Sequence, residues 1–358
     1  MNHNDLELPM GKRTLLYRLF EILPAFLSYG MLILFIILSL INPLWASIYL
    51  LVLVMSVIVR SVGIAYRTLT GHHQLEKAQI VDWRQRLEQL EDPVASYAAI
   101  QQQPLPKRHQ REFHAQEHRE NLRLMAADPA SFPRPSQLYQ AVIVAAYNES
   151  YDVLQPTIES VKNTTYNNKQ IILVLAYEER GGVDIARTAA RLQQEYGDVF
   201  FTFQTIMHPK DMPDEVIGKG GNITYAGKQL QRYCDEQGIA YSDVMITTLD
   251  SDNRPYPSYF DYVAYEYIVH PERKRLSYQP IALYFGNIWD APAPMRVIAT
   301  GNSFWTIISS MRPHTLRNFA SHSQPMDALV EMNFWSTRSI VEDGHQYWRS
   351  YFYFAGDY

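Results

Sequence analysis

Two apolar runs near the start of the chain limit its fold more than any other feature. Ile22 to Ile41 (ILPAFLSYGMLILFIILSLI) contains no charged residue, and its length is what a helix needs to cross a bilayer core. Asn42 and Pro43 interrupt it. A second run, Leu44 to Val59, continues past Arg60 into SVGIAY, and an arginine at that place can extend its head group to the interface. The first run is too long for a signal peptide, lacks a small-residue cleavage site and is followed at once by another apolar run. A buried helical hairpin in a soluble protein is the competing reading. Lys12, Arg13 and Arg18 precede the first run, Arg60 and Arg67 close the second, and the connection is uncharged. Basic residues at both outer ends predict that both ends lie in the cytoplasm, with a short turn outside. The expected layout is a cytosolic segment at 1–21, a transmembrane hairpin at 22–66, and a cytosolic remainder of a multi-pass cell-membrane protein.

Composition removes several function classes. Charged residues are 19% of the 358 residues and the formal charge is -5, so the chain lacks the basic surface that nucleic-acid binding requires. Cys234 is the single cysteine, which rules out an internal disulfide or a cysteine-rich metal site. A small buried thiol is its expected role.

Residues 67–137 read as a helical and linker region. The stretch 74–91 has the pattern of an amphipathic helix with Ile80, Trp83, Leu87 and Leu90 on one stripe. A polar segment (QQQPLPKRHQ) and another helix near 110–126 follow, and DPASFPRPS at 128–136 has the proline and small residues of a linker. From 138 to 358 the pattern changes. QAVIVAAY, QIILVLAY, VFFTFQTI and VMITTLD are apolar strands separated by helical stretches. This is the signature of an α/β fold with a mostly parallel sheet covered by helices on both faces, in which ligands bind at the carboxyl ends of the strands.

Four polar clusters occupy such places. Asp250-Ser251-Asp252 directly follows the strand VMITTL, where two carboxylates can reach one hard cation. As a bare pattern it also describes a solvated turn. Ala145-Ala146-Tyr147-Asn148-Glu149 closes the first strand. Its small residues would let a flat base approach, and Tyr147 and Glu149 would offer a stacking face and an acceptor; alternatively Asn148 is a helix cap. Gly218-Lys219-Gly220-Gly221-Asn222 opens a helix and places a cation where phosphate can bind, with a spacing that is not a Walker A loop. Val341-Glu342-Asp343-Gly344-His345 starts a short helix. A carboxylate there can act as general base or simply favour the helix dipole.

In this order AAYNE, GKGGN, TLDSDNRP and VEDGHQYWR resemble the membrane-associated glycosyltransferases of family 2, with a GT-A-type fold, related to cellulose and hyaluronan synthases. The resemblance covers roughly 140–358. It implies an inverting, hexosyltransferase-type enzyme for polysaccharide or glycolipid synthesis, with a nucleotide-sugar donor, a UDP-sugar by family analogy, and Mn2+ or Mg2+ as cofactor. Ala146, Tyr147 and Glu149 would line the base and ribose pocket. Lys219 would lie near the diphosphate, Asp250 and Asp252 would form the metal and donor site, and Asp343 would be the catalytic base. Glu342, His345 and Arg349 would support it or the acceptor. The family's aspartate after the second strand is absent, so Glu178 or Glu179 is expected to substitute. The synthases' Gln-x-x-Arg-Trp motif is also absent, and the closing aromatic run resembles an unfinished strand, so a C-terminally incomplete chain is expected. Two other readings are single-sugar transfer to a polyprenyl phosphate or other lipid, and a degenerate membrane-anchored binding protein. The remaining histidines, His72, His73, His314 and His322, read as surface or loop residues. Ser321, Ser323 and Gln324 read as loop residues or as donor or acceptor contacts.

Overall fold

The computed structural model describes residues 6–7, 13–102, 112–286 and 288–356. Lys12, most of the polar segment after Gln102, Asp357 and Tyr358 lie outside the described residues. The chain divides into two units. One comprises 8–75 and 281–315; the other comprises 1–7, 76–280 and 316–358.

In the first unit, α1 (Leu15–Ile41) is followed directly by α2 (Pro43–Ile80), with Asn42 between them. The Thr14 hydroxyl accepts from the Tyr17 amide and caps α1, as an N-cap threonine should. Asn42 ends the helix and its Oδ1 accepts from the Leu44 amide at 2.9 Å. Pro43, which has no amide hydrogen to leave unsatisfied, opens α2. The helices touch where Tyr49 donates to the Met31 carbonyl at 3.0 Å and stacks on Phe35. Both carry windows long and apolar enough to cross a membrane, and neither window is buried inside the protein.

The second unit resumes within the polar end of α2. Residues 74–91 are two helices where periodicity suggested one: α2 stops at Ile80 and α3 runs Trp83–Gln89. Asp82 separates them, its carboxylate accepting from the Gln85 amide at 2.9 Å. The break buries Trp83, Leu87 and Leu90 and leaves Ile80 exposed. Trp83 stacks on Tyr262, ring centroids 4.0 Å apart. Helices α4 (Pro93–Gln101) and α5 (Ala115–Ala127) follow, and two short turns, Pro129–Ser131 and Pro135–Gln137, fill the proline-rich stretch.

The sheet is then assembled from β1 (Tyr139–Ala146), α6 (Tyr151–Lys162), β2 (Ile171–Glu178), α7 (Gly182–Tyr196), β3 (Thr202–His208), α8 (Lys219–Gln237), β4 (Val244–Asp250) and α9 (Tyr259–Val269). After α10 (Ala293–Ser310), which belongs to the first unit, come β5 (His322–Pro325), α11 (Met326–Glu331) and α12 (Glu342–Tyr353). Strand order is β3-β2-β1-β4-β5, with β5 antiparallel to β4 and the other pairs parallel. The continuous apolar strands have a direct cause. Val142, Val144, Leu173 and Leu175 pack with Leu154, Ile158, Ile185 and Leu192 of α6 and α7. Ile143, Ile172 and Val174 pack with Ile223 and Leu230 of α8 and Leu329 of α11 on the other face. Strand order reverses between β1 and β4, so their carboxyl ends open the crevice where such sheets bind ligands.

Two expectations need correction. The aromatic run near 346–354 is helix α12, not a strand. Tyr347 stacks on Tyr351 and Trp348 on Phe352, the four-residue spacing of a helix face. His322, Ser323 and Gln324 form the buried strand β5 and not a loop. His72, His73 and His314 are exposed, whereas His322 is fully buried.

Candidate active site

The ends of β1 and β2 form one wall of the site. Ala146 is buried and Tyr147 is 49% exposed, leaving a ring face open. Glu149 folds back so that its Oε2 accepts from the Tyr147 amide at 2.6 Å. Gly181 is required beside them, because a Cβ there would stand 1.7 Å from the Tyr147 carbonyl oxygen. Asn222 of α8 ties the two strand ends together. Its amide donates to the Ala176 carbonyl at 3.0 Å and the Ala146 carbonyl at 3.3 Å.

Glu178 ends β2 but does not project freely. Its Oε2 accepts from Arg180 Nη2 at 2.7 Å and faces His208 Nδ1 at 3.2 Å. Burial pushes the Glu178 carboxyl up, and the bonds from His208 and Arg180 outweigh it and hold it below its ordinary value. Burial opposes the charge on His208 too, yet Glu178 and Glu215 raise it above the ordinary histidine value. Glu179 lies outside this cluster and accepts from the Lys210 amide at 2.9 Å.

Lys219 opens α8 on a path that its glycines permit. A Cβ on Gly220 would lie 2.4 Å from the Ser336 carbonyl oxygen, and one on Gly221 2.7 Å from Glu215 Oε2. The Lys219 ammonium donates to Asp250 Oδ1 at 2.5 Å and to the Ala320 carbonyl at 3.4 Å, and lies 4.0 Å from Glu342 Oε1. Asp250 ends β4 in register with Ala145 of β1. Asp252 is exposed on the next turn, where the Thr157 hydroxyl holds the Ser251 carbonyl at 2.7 Å.

α12 supplies the opposite wall. Asp343 Oδ2 accepts from the Ala320 amide at 2.5 Å, and Oδ1 from the Gly344 amide at 2.6 Å. Ala320 has φ +48°, the left-handed region that residues with a Cβ seldom adopt. Its amide thus faces Asp343 while its carbonyl faces Lys219. Glu342 is buried; burial raises its pKa, with the Lys219 charge pulling the other way. His345 is lowered by burial. Arg349 turns away from this centre. It is buried, donates to the Met332 and Phe334 carbonyls at 2.7 and 3.1 Å, and pairs with Glu7. Glu7 also accepts from the Ser336 hydroxyl at 2.5 Å.

The fold therefore gathers Lys219, Asp250, Glu342 and Asp343 around Ala320, with Ala146, Tyr147 and Glu149 on the neighbouring strand end. Reading the sequence missed Ala320, His208, Arg180 and His322. His322 accepts from Trp335 Nε1 at 3.2 Å, and burial, then the Lys219 charge, lowers its pKa to about 4. Among the described residues no group of three or more His, Cys, Asp or Glu side chains forms a metal cage. Asp250 and Asp252, two residues apart at the end of β4, each offer carboxylate oxygens. Such oxygens suit Mg2+ or Mn2+, which keep other positions for phosphate and water oxygens.

A comparison with curated proteins gives no match. Residues 141–206 match the family model described as Glycosyl transferase family 2. The matched stretch runs from β1 almost to the end of β3 and stops before Lys219. That stretch is therefore similar to family 2 glycosyltransferases, and it lies in a mostly parallel sheet flanked by helices.

Proposed function

We propose that this protein is a membrane-bound inverting glycosyltransferase that moves a hexose from a UDP-sugar to a hydroxyl of a polysaccharide or glycolipid acceptor. The observation that carries this reading is the meeting of Asp250, Lys219 and Asp343 at Ala320. Three separate elements deliver a phosphate-seeking cation, a cation-seeking carboxylate and a candidate base to one end of the sheet. Ala146 leaves room for the base, Tyr147 stacks on it, and Glu149 accepts from the ribose. Glu178, fixed by Arg180 and His208, shapes the pocket edge. Asp250 and Asp252 would hold Mg2+ or Mn2+, which when bound neutralises charge on the leaving diphosphate. Lys219 then shares its charge between Asp250 and a phosphate oxygen.

Asp343 takes the proton from the acceptor hydroxyl as that oxygen attacks the anomeric carbon opposite the departing UDP. A single displacement inverts the configuration. To do so Asp343 Oδ2 exchanges the Ala320 amide for the acceptor hydroxyl. Glu342 and His345 flank it, and Arg349 holds the loop ahead of α12. The α1–α2 hairpin is read as the anchor, with Arg13, Arg18, Arg60 and Arg67 favouring the cytoplasm for both outer ends. Pairing of Glu7, ahead of the first apolar helix, with Arg349 supports placing both outer ends on one side.

The test is Asp343→Asn in the full chain, assayed for sugar transfer and for UDP binding with Mn2+. Transfer should fall about 100- to 10,000-fold, the range of a lost general base, with UDP affinity retained. Unchanged transfer would remove Asp343 from this role.

A further inference from the structure

Helix α10 exposes a broad apolar face. Met295, Val297, Ile298, Phe304 and Trp305 are exposed, while Ser303, Thr306, Ile307 and Ile308 are buried. The buried hydroxyls bond to the backbone of the segment ahead of the helix. Ser303 Oγ accepts from the Tyr284 amide at 2.9 Å, and Thr306 donates to the Ala282 carbonyl at 2.8 Å. A helix facing water on its outer side carries polar and charged residues there.

The same unit contains the α1–α2 hairpin, and the two are seated together at Gly71. A Cβ added there would stand 2.7 Å from Ile307 Cγ2 and 3.1 Å from the Ile307 carbonyl oxygen. Trp45 and Tyr66 bracket the apolar part of α2, as interfacial aromatics do. Gly71 lies five residues past Tyr66, about 7.5 Å at helical rise, which is headgroup depth. Among the described residues, hydropathy marks α1 and α2 alone as candidate spans, so α10 is apolar on a face without being a span. Arg296 stacks over Trp289 at 5.2 Å, a cation beside an aromatic of the kind that headgroups accept.

We infer that α10 lies in the membrane interface, its exposed face set into the headgroup and upper acyl region of a phospholipid bilayer and held there by Gly71. This rests on the reading of α1 and α2 as membrane-spanning. The face belongs to the same compact unit as the two exposed apolar helices and meets α2 at Gly71, which favours lipid as its occupant over a second protein.

The test uses the full chain in phosphatidylcholine/phosphatidylglycerol liposomes, spin-labelled one site at a time at Val297→Cys, Trp305→Cys, Val57→Cys in α2 and Asp184→Cys on α7. Native Cys234 is buried and does not compete for label. Relaxation by oxygen, which concentrates in lipid, is compared with relaxation by a water-soluble nickel chelate. At 297 and 305 oxygen should exceed nickel several-fold, at a shallower depth than 57. Nickel access at 297 and 305 equal to that at 184, with 57 rich in oxygen, would overturn the inference and leave the hairpin standing. Protection of 297 and 305 from both reagents would also overturn it, since a protein would then cover the face. Nickel access at 57 would instead sink the membrane reading beneath it. In Gly71→Leu, nickel access at 305 should rise several-fold while 57 stays unchanged; no change at 305 would overturn the seating on Gly71.

Discussion

Ala320 works through its backbone, and that is why no pattern of residue types pointed to it. Its amide and carbonyl reach Asp343 and Lys219 only because φ is positive. Ala320→Gly should keep transfer within a few-fold, whereas Ala320→Val, β-branched in a left-handed position, should reduce kcat at least about tenfold. A steady-state comparison of the two variants checks this, and equal rates would refute it. The placement of Asp250 at a strand end and of Asp343 at a helix start was legible from the apolar run before the one and the acidic turn of the other. His208 was not, because it reaches Glu178 only through β2–β3 pairing. His322 gives a pH prediction. Its folded value of about 4 lies below the unfolded value of 6.5, so the unfolded chain takes up the proton first. Stability should therefore fall as pH drops from 6.5 towards 4, by about 3 kcal/mol at full extent. Denaturation midpoints of the solubilised chain at neutral and acid pH report this, and His322→Gln should remove its share of the dependence, leaving that of the buried His118.

Among the elements, the strands with apolar layers on both faces were legible and β5 was not. HSQP looks like a loop because its side chains are polar, yet they are buried, and those of Ser323 and Gln324 find partners. Ser323 bonds Thr247 and Tyr259, and Gln324 bonds Ser350 and Gln346. α12 misled for the opposite reason. Aromatic residues favour strands on average, and here spacing and the buried Arg349 contacts decide for helix. The α8–sheet junction yields a further prediction. Asn222→Leu withdraws the donor from two strand-end carbonyls, so it should cost about 1–3 kcal/mol. It should also weaken UDP binding, which Asp343→Asn spares. Unfolding and nucleotide titration measure the two effects separately, and wild-type nucleotide affinity would show that the clamp does not shape the pocket.

At the scale of the whole molecule, two distant parts of the chain complete one another. Arg349 is 2% exposed, and Glu7 is its carboxylate partner. Glu7→Ala leaves a buried cation without its counter-charge, a loss of about 3–5 kcal/mol. The Glu7→Leu, Arg349→Met double variant should recover most of that, and a double variant as unstable as the single would argue against the pairing. The two apolar helices were legible from hydropathy; this contact, between residues so far apart in sequence, was not. It also sets a clock. Glu7 and Ser336 are 329 residues apart, so at about 5–20 residues per second a nascent Glu7 waits roughly 15–70 s for its partners to leave the ribosome. On the proposed cytoplasmic placement, the segment ahead of the first apolar helix would have to be kept out of the translocation channel throughout that interval, because export of a few residues would leave Arg349 an orphaned cation.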